Sequence, residues 1–374
     1  MKDLVYLDHN ATTTVRPAAI DAVCDALNLT GNPSSVHSHG RLARRVIEDA
    51  RDNIGNLVGA NPNDVLFTGC GTEANNLALR GTLAENYFVS TTEHPSILMA
   101  NDKAKAIAVD TEGLIDIDAL DALLSVANGK SLISVMLANN ETGVIQPISE
   151  VVRIAKQYDA LVHCDAIQGA GKIPVDMACL GLDLMSLSAH KIGGPQGVGA
   201  LIARAGLDMA PILRGGGQER RMRAGTENVA GIAGFGAAAL EAYSGLDHMD
   251  SLSTLRNQMI SGIRRYASVS VFGEAAFRLP NTACIAMPGV SAEIQLMAFD
   301  LLGVSISSGS ACSSGKVESS HVLAAMGVGA DEALTAIRVS LGWSNTPKDV
   351  DDFINAWATI FSKSQAQPVQ AMVG

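Results

Sequence analysis

Short apolar runs alternate with amphipathic stretches over much of the chain. Apolar runs bounded by turn residues lie at 65–68, 87–90, 132–137, 161–164, 182–187 and 198–203. Runs of this length suit strands buried on both faces. Between them the apolar positions recur at helical spacing, most clearly over 73–80 and 149–158. Strand–helix alternation predicts an α/β fold with a largely parallel sheet covered by helices. Ligands of such sheets bind at the carboxyl ends of the strands. The run 229–240 is apolar but rich in Gly and Ala, and too short to span a membrane. It predicts a tightly packed helix. Beyond residue 247 the pattern changes. Helices are expected near 251–266 and 292–302, with strand-like runs at 269–272, 282–287 and 337–341. This describes a smaller α+β domain, with no linker marking its start.

Composition sharpens that picture. The 374 residues are 47% hydrophobic but only 4% aromatic, with 36 glycines. An aliphatic core with many tight turns suits an α/β fold, and the length suggests two subdomains. The net charge is −11. The one dense basic cluster, Arg220, Arg221 and Arg223, is short, so no nucleic-acid partner is expected. None of the six cysteines forms a Cys-x-x-Cys pair. Most lie in apolar runs, where cysteine acts as a small hydrophobe, and a reducing compartment without disulfides is expected. The first residues carry no leader pattern. A soluble, cytoplasmic protein without a membrane partner is the expectation.

Polar residues gather just beyond the apolar runs. The run 182–187 leads into Ser188-Ala189-His190-Lys191 and a glycine-rich turn. One amine is thereby set at the end of a buried strand. Desolvation there disfavours the ammonium form, and a neutral amine is what condensation with an aldehyde requires. A surface lysine in a glycine-rich turn has the same local pattern. The run 65–68 ends in Gly69-Cys70-Gly71-Thr72 at a helix start. Backbone N–H groups and the Thr72 hydroxyl suit an anion there; an ordinary cap reads the same way. Asp165 follows 161–164, placed either to hold a pyridine nitrogen protonated or to cap a helix. Asn139 and Asn140 precede Gly143 in a turn able to reach a ligand. His94 follows 87–90 and suits either acid–base work on a flat ring or a structural role. His37 and His39 form an H-x-H pair with no third metal ligand at a suggestive spacing. Arg338 interrupts the apolar run 334–341. A buried arginine needs an anion, either a substrate carboxylate or a structural partner. Cys312 alone among the cysteines sits in a small, polar Ser/Gly-rich segment. That setting suits an accessible, attacking thiol, or a chance surface cysteine.

The order of these motifs carries more than any one of them. Asn10-Ala11-Thr12-Thr13, Gly71-Thr72-Glu73-Ala74-Asn75-Asn76, Glu93-His94-Pro95, Asn139-Asn140-Glu141-Thr142-Gly143, Asp165-Ala166-Ile167-Gln168, Ser188-Ala189-His190-Lys191 and Arg223-Ala224-Gly225-Thr226 follow one another along the chain. The succession resembles a fold-type I pyridoxal-phosphate enzyme of the class V aminotransferase group. Ser308-Gly309-Ser310-Ala311-Cys312 and Ile337-Arg338-Val339-Ser340 narrow it. With them the chain resembles NifS/IscS-type cysteine desulfurases with a long cysteine-bearing loop, from Tyr6 to past Arg338.

The resemblance implies an N-terminal arm over 1–15 and a large domain over 16–247 with a mostly parallel seven-stranded sheet. It implies a small α+β domain over 248–374 carrying Cys312. Lys191 would hold pyridoxal phosphate covalently and later move protons. Asp165 would pair with the pyridine nitrogen and Gln168 with the ring hydroxyl. His94 would stack on the ring and act as acid and base. Gly71, Thr72, Ser188 and His190 would line the cofactor, the last three at its phosphate. Thr226 would reach the phosphate of the other subunit in a homodimer. Asn10, Asn140 and Arg338 would bind the substrate, L-cysteine, with Asn140 touching the cofactor as well. Cys312 would take the sulfur as a persulfide and pass it to an acceptor or iron–sulfur scaffold protein. No resident metal is implied, and it stays open whether a persulfide on Cys312 ligates a nascent cluster in an acceptor complex. A selenocysteine lyase, a small-substrate aminotransferase and a non-catalytic sulfur-relay scaffold are the alternatives on the same fold. Two positions depart from the family pattern. Cys70 stands in the phosphate turn and reads as a small filler. Gln196 stands where lysine is frequent.

Overall fold

The computed structural model describes residues 4–309 and 320–366. Strand β1 (Val5–Tyr6) leads into α1 (Pro17–Leu27) and the long α2 (Ser38–Leu57). Strands and helices then alternate: β2 (Val65–Thr68), α3 (Gly71–Gly81), β3 (Asn86–Ser90), α4 (Pro95–Leu98), β4 (Lys105–Ile107), α5 (Ile117–Ser125), β5 (Ser131–Met136), α6 (Ile148–Gln157), β6 (Leu161–Asp165), α7 (Met177–Leu180), β7 (Leu184–Ser188) and β8 (Gly199–Ala203). Helices α8 (Val229–Ser244) and α9 (Met249–Ile263) follow. The remainder comprises β9 (Thr282–Ala286), α10 (Ala292–Leu301), β10 (Val304–Ser305), β11 (Ser307–Ser308), α11 (His321–Ala325), α12 (Ala330–Ala333), β12 (Ala336–Ser340) and α13 (Pro347–Ala366).

The main sheet has seven strands in the order β2-β8-β7-β6-β5-β3-β4. Only β8 runs against its neighbours, β2 and β7. The carboxyl ends of β2, β3, β5, β6 and β7 therefore all open onto one edge, which is where the polar motifs follow. Strands β5 and β7 are buried at every position, as continuous apolar runs predict. Helix α6 buries Ile148, Val151, Val152, Ile154 and Ala155 along one face, the stripe expected of an amphipathic helix on a sheet. Helix α8 packs against α1 and α2 through glycines. A Cβ at Gly236 would sit 2.7 Å from the Ala50 Cα.

A second core joins Val5 and Leu7 to Met259, Ile285, Phe299, Val339, Phe353 and Trp357. Phe299 and Phe353 stack with centroids 5.1 Å apart. Strands β11, β12 and β9 form an antiparallel sheet beside it. The N-terminal residues belong to this core: β1 pairs in parallel with β10, and Asp8 bridges Ser340. The arm thus crosses from the second core to the carboxyl edge of the main sheet.

Several local expectations change. The run 269–272 makes only the isolated bridge Val271↔Ile285, because Gly273 turns the chain away at φ +71. Edge strand β4 has two exposed positions of three and no apolar period to betray it. Most cysteines are not core fillers. Cys24, Cys70 and Cys179 are exposed, and only Cys164 and Cys284 are buried among the described residues. Cys24 falls on the outer side of α1, and Cys179 lies on the short surface turn of α7 capped by Asp176. His37 caps α2 by accepting from Gly40 N–H. No single helix among the described residues is long and apolar enough to cross a membrane.

The close approach of α8 and α2 yields a stability prediction. Gly236→Leu should destabilise the protein by about 1–3 kcal/mol through overpacking. Thermal unfolding measures this as a lowered Tm, and an unchanged Tm would show that the two helices separate freely.

Candidate active site

Lys191 ends a single helical turn (Ala189–Lys191) that follows β7. Its Nζ donates to the carbonyls of Asn10 (2.6 Å) and Ala11 (2.7 Å) on the crossing arm. Burial lowers its pKa to about 8, with Arg338 adding to the shift and Asp8 and Asp165 opposing it. The amine thus sits partly desolvated against the crossing arm.

Asn10 collects its neighbours around that amine. Its carbonyl also accepts from Gln168 Nε2 (2.9 Å). Its Oδ1 accepts from Lys172 Nζ (2.9 Å) and Asn281 Nδ2 (3.2 Å). Its Nδ2 donates to Asn140 O (3.1 Å) and Thr282 Oγ1 (2.9 Å). Two donors on one side fix the oxygen there and the nitrogen opposite. Lys172 also donates to Gln168 Oε1 at 2.7 Å. Burial, then Lys191 and Arg338, hold the Lys172 amine well below its usual value. A second desolvated amine thus sits behind the first.

Asp165 closes β6 with its carboxylate buried. Oδ2 accepts from Asn75 Nδ2 (2.7 Å) and Oδ1 from Ile167 N (3.0 Å). Burial raises its pKa, and these donors, with His94 and Lys191, oppose the rise. The same Asn75 amide donates to Ser96 Oγ (2.9 Å), which lies 2.8 Å from His94 Nδ1. Ser96 N–H donates to Nδ1 as well. Nδ1 is therefore the unprotonated nitrogen of the neutral ring, which leaves the proton on Nε2. Partial burial lowers the His94 pKa, although one side of the residue remains open to solvent. Beneath it, Glu93 accepts from Met136 N (2.7 Å). Burial pushes the pKa of that carboxyl well above the usual carboxylate value.

The turn after β2 forms a cradle. Gly71 opens α3 where a Cβ would strike the Ile167 side chain and crowd Ser188 Cβ at 3.3 Å. Ser188 Oγ, at the end of β7, is buried without a hydrogen-bond partner. Thr72 is exposed beside it. Cys70 is an exposed helix cap rather than a filler, its Sγ accepting from Glu73 N. Glu73 accepts from Gly69 N (2.8 Å) and from Arg223 Nε (2.9 Å), which fastens the loop before α8 over the turn. His190 lies 3.2 Å from Thr12 Oγ1 through Nδ1. Thr226 is exposed on the loop before α8, and no hydrogen bond among the described residues joins it to the cluster.

Arg338 projects from β12 and is buried. Nη2 donates to Asp8 Oδ1 (2.7 Å) and Nη1 to Asn140 O (3.2 Å), while Nε has no partner. The structural anion and a free buried donor therefore coexist on one guanidinium. Cys312 lies outside the described residues, but the chain on both sides of it returns to this site. Gly309 and Ser320 both meet Glu141, the residue after Asn140.

Thus Lys191, Asp165, Gln168, Asn10, Asn140 and Arg338 converge, with His94 and the Gly71–Ser188 cradle linked at their margin. Sequence reasoning missed the positions of Asn75, Glu93, Asp8, Glu141 and Lys172 in this cluster. A lysine among small and apolar residues (Gly171-Lys172-Ile173) was the available signal for the last.

Known proteins match this chain over nearly its whole length. The class-V aminotransferase family model matches residues 5–353. The chain is 41% identical to cysteine desulfurase IscS of Dictyoglomus turgidum, over 97% of this chain and 96% of that protein. It is 39% identical to an IscS-like cysteine desulfurase of Mycobacterium tuberculosis, over 93% and 94% of the two chains. A solved NifS-like protein from Rickettsia africae superposes with a TM-score of 0.90 at 39% identity, covering 96% of this chain and 99% of its own.

The low pKa of Lys191 has a measurable consequence. Labelling by an aldehyde and hydride reduction should speed up as pH rises and level off above about 8, when the amine is neutral. Peptide mapping should find the label on Lys191, with Lys172 protected by burial. A profile still rising toward the ordinary lysine pKa would contradict the desolvation.

Proposed function

The chain belongs to the class-V aminotransferase family, and we propose that it is a cysteine desulfurase that converts L-cysteine to L-alanine and places the sulfur on Cys312. Pyridoxal phosphate is the cofactor of this group, and the residues fit it. The unpartnered Ser188 hydroxyl beside the bare start of α3 suits a phosphate. The Lys191 amine, its pKa lowered to about 8, gives up its proton more readily than an ordinary lysine, which suits condensation with the aldehyde. Lys191 would hold the group covalently. Asp165 would pair with its ring nitrogen, Gln168 with its ring hydroxyl, and His94 with the ring face. Gly71, Thr72, Ser188 and His190 would line its phosphate end. When bound, it supplies an electron sink for the pair left as bonds at the substrate α-carbon break.

The protein's own groups do the rest. Arg338 and Asn140 bind the substrate carboxylate, the unpaired Nε of Arg338 adding a donor beyond those used by Asp8 and Asn140. Asn10 orients both Lys191 and Asn140. Lys191, once released, takes and returns the proton of the substrate α-carbon. His94 offers the proton on Nε2. Cys312 attacks the substrate sulfur as a thiolate. A sulfur–sulfur bond forms as the carbon–sulfur bond breaks, the bonding pair passing to the substrate β-carbon, which takes a proton to become the methyl group of alanine while the persulfide stays on Cys312.

One juxtaposition carries this reading. The desolvated amine of Lys191 and the guanidinium of Arg338 meet through Asn10 and Asn140, and the segment bearing Cys312 is rooted on the adjacent Glu141. A transaminase has no use for a thiol there. In the same reading the enzyme is a homodimer. Thr226, exposed and apart from its own cluster, serves the cofactor phosphate of the other subunit. The persulfide sulfur passes to an acceptor or scaffold protein, for iron–sulfur assembly or other sulfur-containing products.

With L-cysteine and a thiol reductant, the holoenzyme should release alanine and sulfide. Cys312→Ser and Lys191→Ala should each abolish turnover. Full sulfide release by Cys312→Ser would sink the persulfide route. Arg338→Ala should raise KM for L-cysteine about tenfold or more, as loss of charge-assisted hydrogen bonds predicts. Steady-state kinetics decides this, and an unchanged KM would make Arg338 purely structural.

A further inference from the structure

Glu141 is a buried acid that no step above uses. It lies in the turn after β5, where Asn139 Oδ1 accepts from the N–H groups of Glu141 (2.9 Å) and Thr142 (3.0 Å). The turn is thus held from within, and its preceding residue is Asn140. Oε2 of Glu141 accepts from Ser320 Oγ at 2.6 Å. Gly309 packs on the same oxygen, and a Cβ there would sit 2.5 Å from it. Only a residue without a side chain fits that approach without displacement. Gly309 directly follows β11, whose Ser307 pairs with Arg338 and Ser308 with Ile337. Ser320 Oγ also accepts from Leu323 N and caps α11. The next residue, His321, lies 2.9 Å from the Glu93 carbonyl through Nε2, beside His94.

We propose that Glu141 is a positioning residue for Cys312, its carboxylate hydrogen-bonded to Ser320 and lying against Gly309, the two residues that flank 310–319, beside the turn that presents Asn140. The proposal rests on the desulfurase reading, in which Cys312 takes the sulfur. Through Glu141 both residues that flank 310–319 are set beside the site where the substrate is held. Misplacement of reacting groups by about 1 Å can cost about a hundredfold in rate, so the root of the segment matters although it touches no substrate.

The surroundings favour an acid over a neutral side chain. Arg338 on β12 faces Glu141 and stabilises its charge, and Ser320 donates to it. The Cys284 thiol on β9 is the other titratable neighbour, and burial pushes it far up, so it stays protonated. Burial raises Glu141 to about 7 against these two opposing partners. The charged latch is present above that pH and is lost below it.

The test mixes holoenzyme rapidly with L-cysteine, quenches with an alkylating reagent and quantifies the Cys312 persulfide by mass spectrometry. Steady-state KM for L-cysteine is measured alongside. Glu141→Ala should slow persulfide formation about tenfold or more while KM stays within about threefold. Glu141→Gln keeps an acceptor for Ser320 and should recover most of the rate. The wild-type to Gln ratio should fall toward one as pH drops through about 7; titrations common to both proteins cancel in this ratio. Gly309→Ala, which crowds an intact Glu141, should reproduce the Ala defect and covers the case in which Glu141→Ala does not fold. Persulfide formation at the wild-type rate in Glu141→Ala or in Gly309→Ala would overturn the proposal. So would a rise in KM matching the loss of rate with no rescue by Gln. Desulfuration by Cys312→Ser would instead overturn the desulfurase reading itself. A required Cys312 with unaffected Glu141 and Gly309 variants would remove only the positioning role.

Discussion

Every polar group of Asn10 is engaged, and the site is organised around it. Its N–H donates to Ser340 Oγ, its carbonyl accepts from Lys191 and Gln168, its Oδ1 from Lys172 and Asn281, and its Nδ2 serves Asn140 and Thr282. A buried side-chain amide has two donor hydrogens and two acceptor lone pairs, and here all are used. This one residue stitches the N-terminal arm, the carboxyl edge of the main sheet and the second core together. Because β1 is anchored in the second core, the position of the Lys191 amine depends on both cores at once. Loss of one hydrogen bond here would leave a buried polar group unsatisfied, which costs about 1–3 kcal/mol.

The electrostatics follow from that packing. Lys191, Lys172 and Arg338 share a small volume, and three full positive charges there would repel one another. Burial resolves the conflict by lowering the two amines and leaving Arg338 charged against Asp8. The acids divide in the same way. Burial raises Glu93 well above its usual value and Glu141 to about 7, while Asn75 and a backbone N–H oppose the rise at Asp165. The acids therefore differ from one another in how far burial shifts them, while the two amines shift the same way. Such divergence is what acid–base chemistry near neutral pH needs.

Much of the scaffold was legible because burial on both faces leaves a plain signature. The runs ending near Thr68, Ser90, Met136, Asp165 and Ser188 are continuous and apolar, and each became a strand of the main sheet. Their following motifs were legible as chemistry because polar residues seldom follow such runs without a cap or ligand to serve. The rest had weaker marks. Edge strand β4 carries exposed positions and no period. The run 269–272 looks like a strand, yet Gly273 diverts it after a single bridge. Cys24 and Cys179 lie in apolar stretches and still face solvent, since a helix turns part of any apolar stretch outward.

The sequence by itself determined the alternation of strand and helix, the edge on which chemistry collects, and the residue types that name a family. These depend on neighbours within a few positions, where period and side-chain type act directly. Only the tertiary structure decided that Lys172 stands behind Lys191, that Asp8 and Asn140 share Arg338, and that Gly309 and Ser320 converge on Glu141. Those partners lie far apart along the chain. Their protonation depends on desolvation by atoms from several elements, and a linear pattern carries no record of which distant groups will exclude water together.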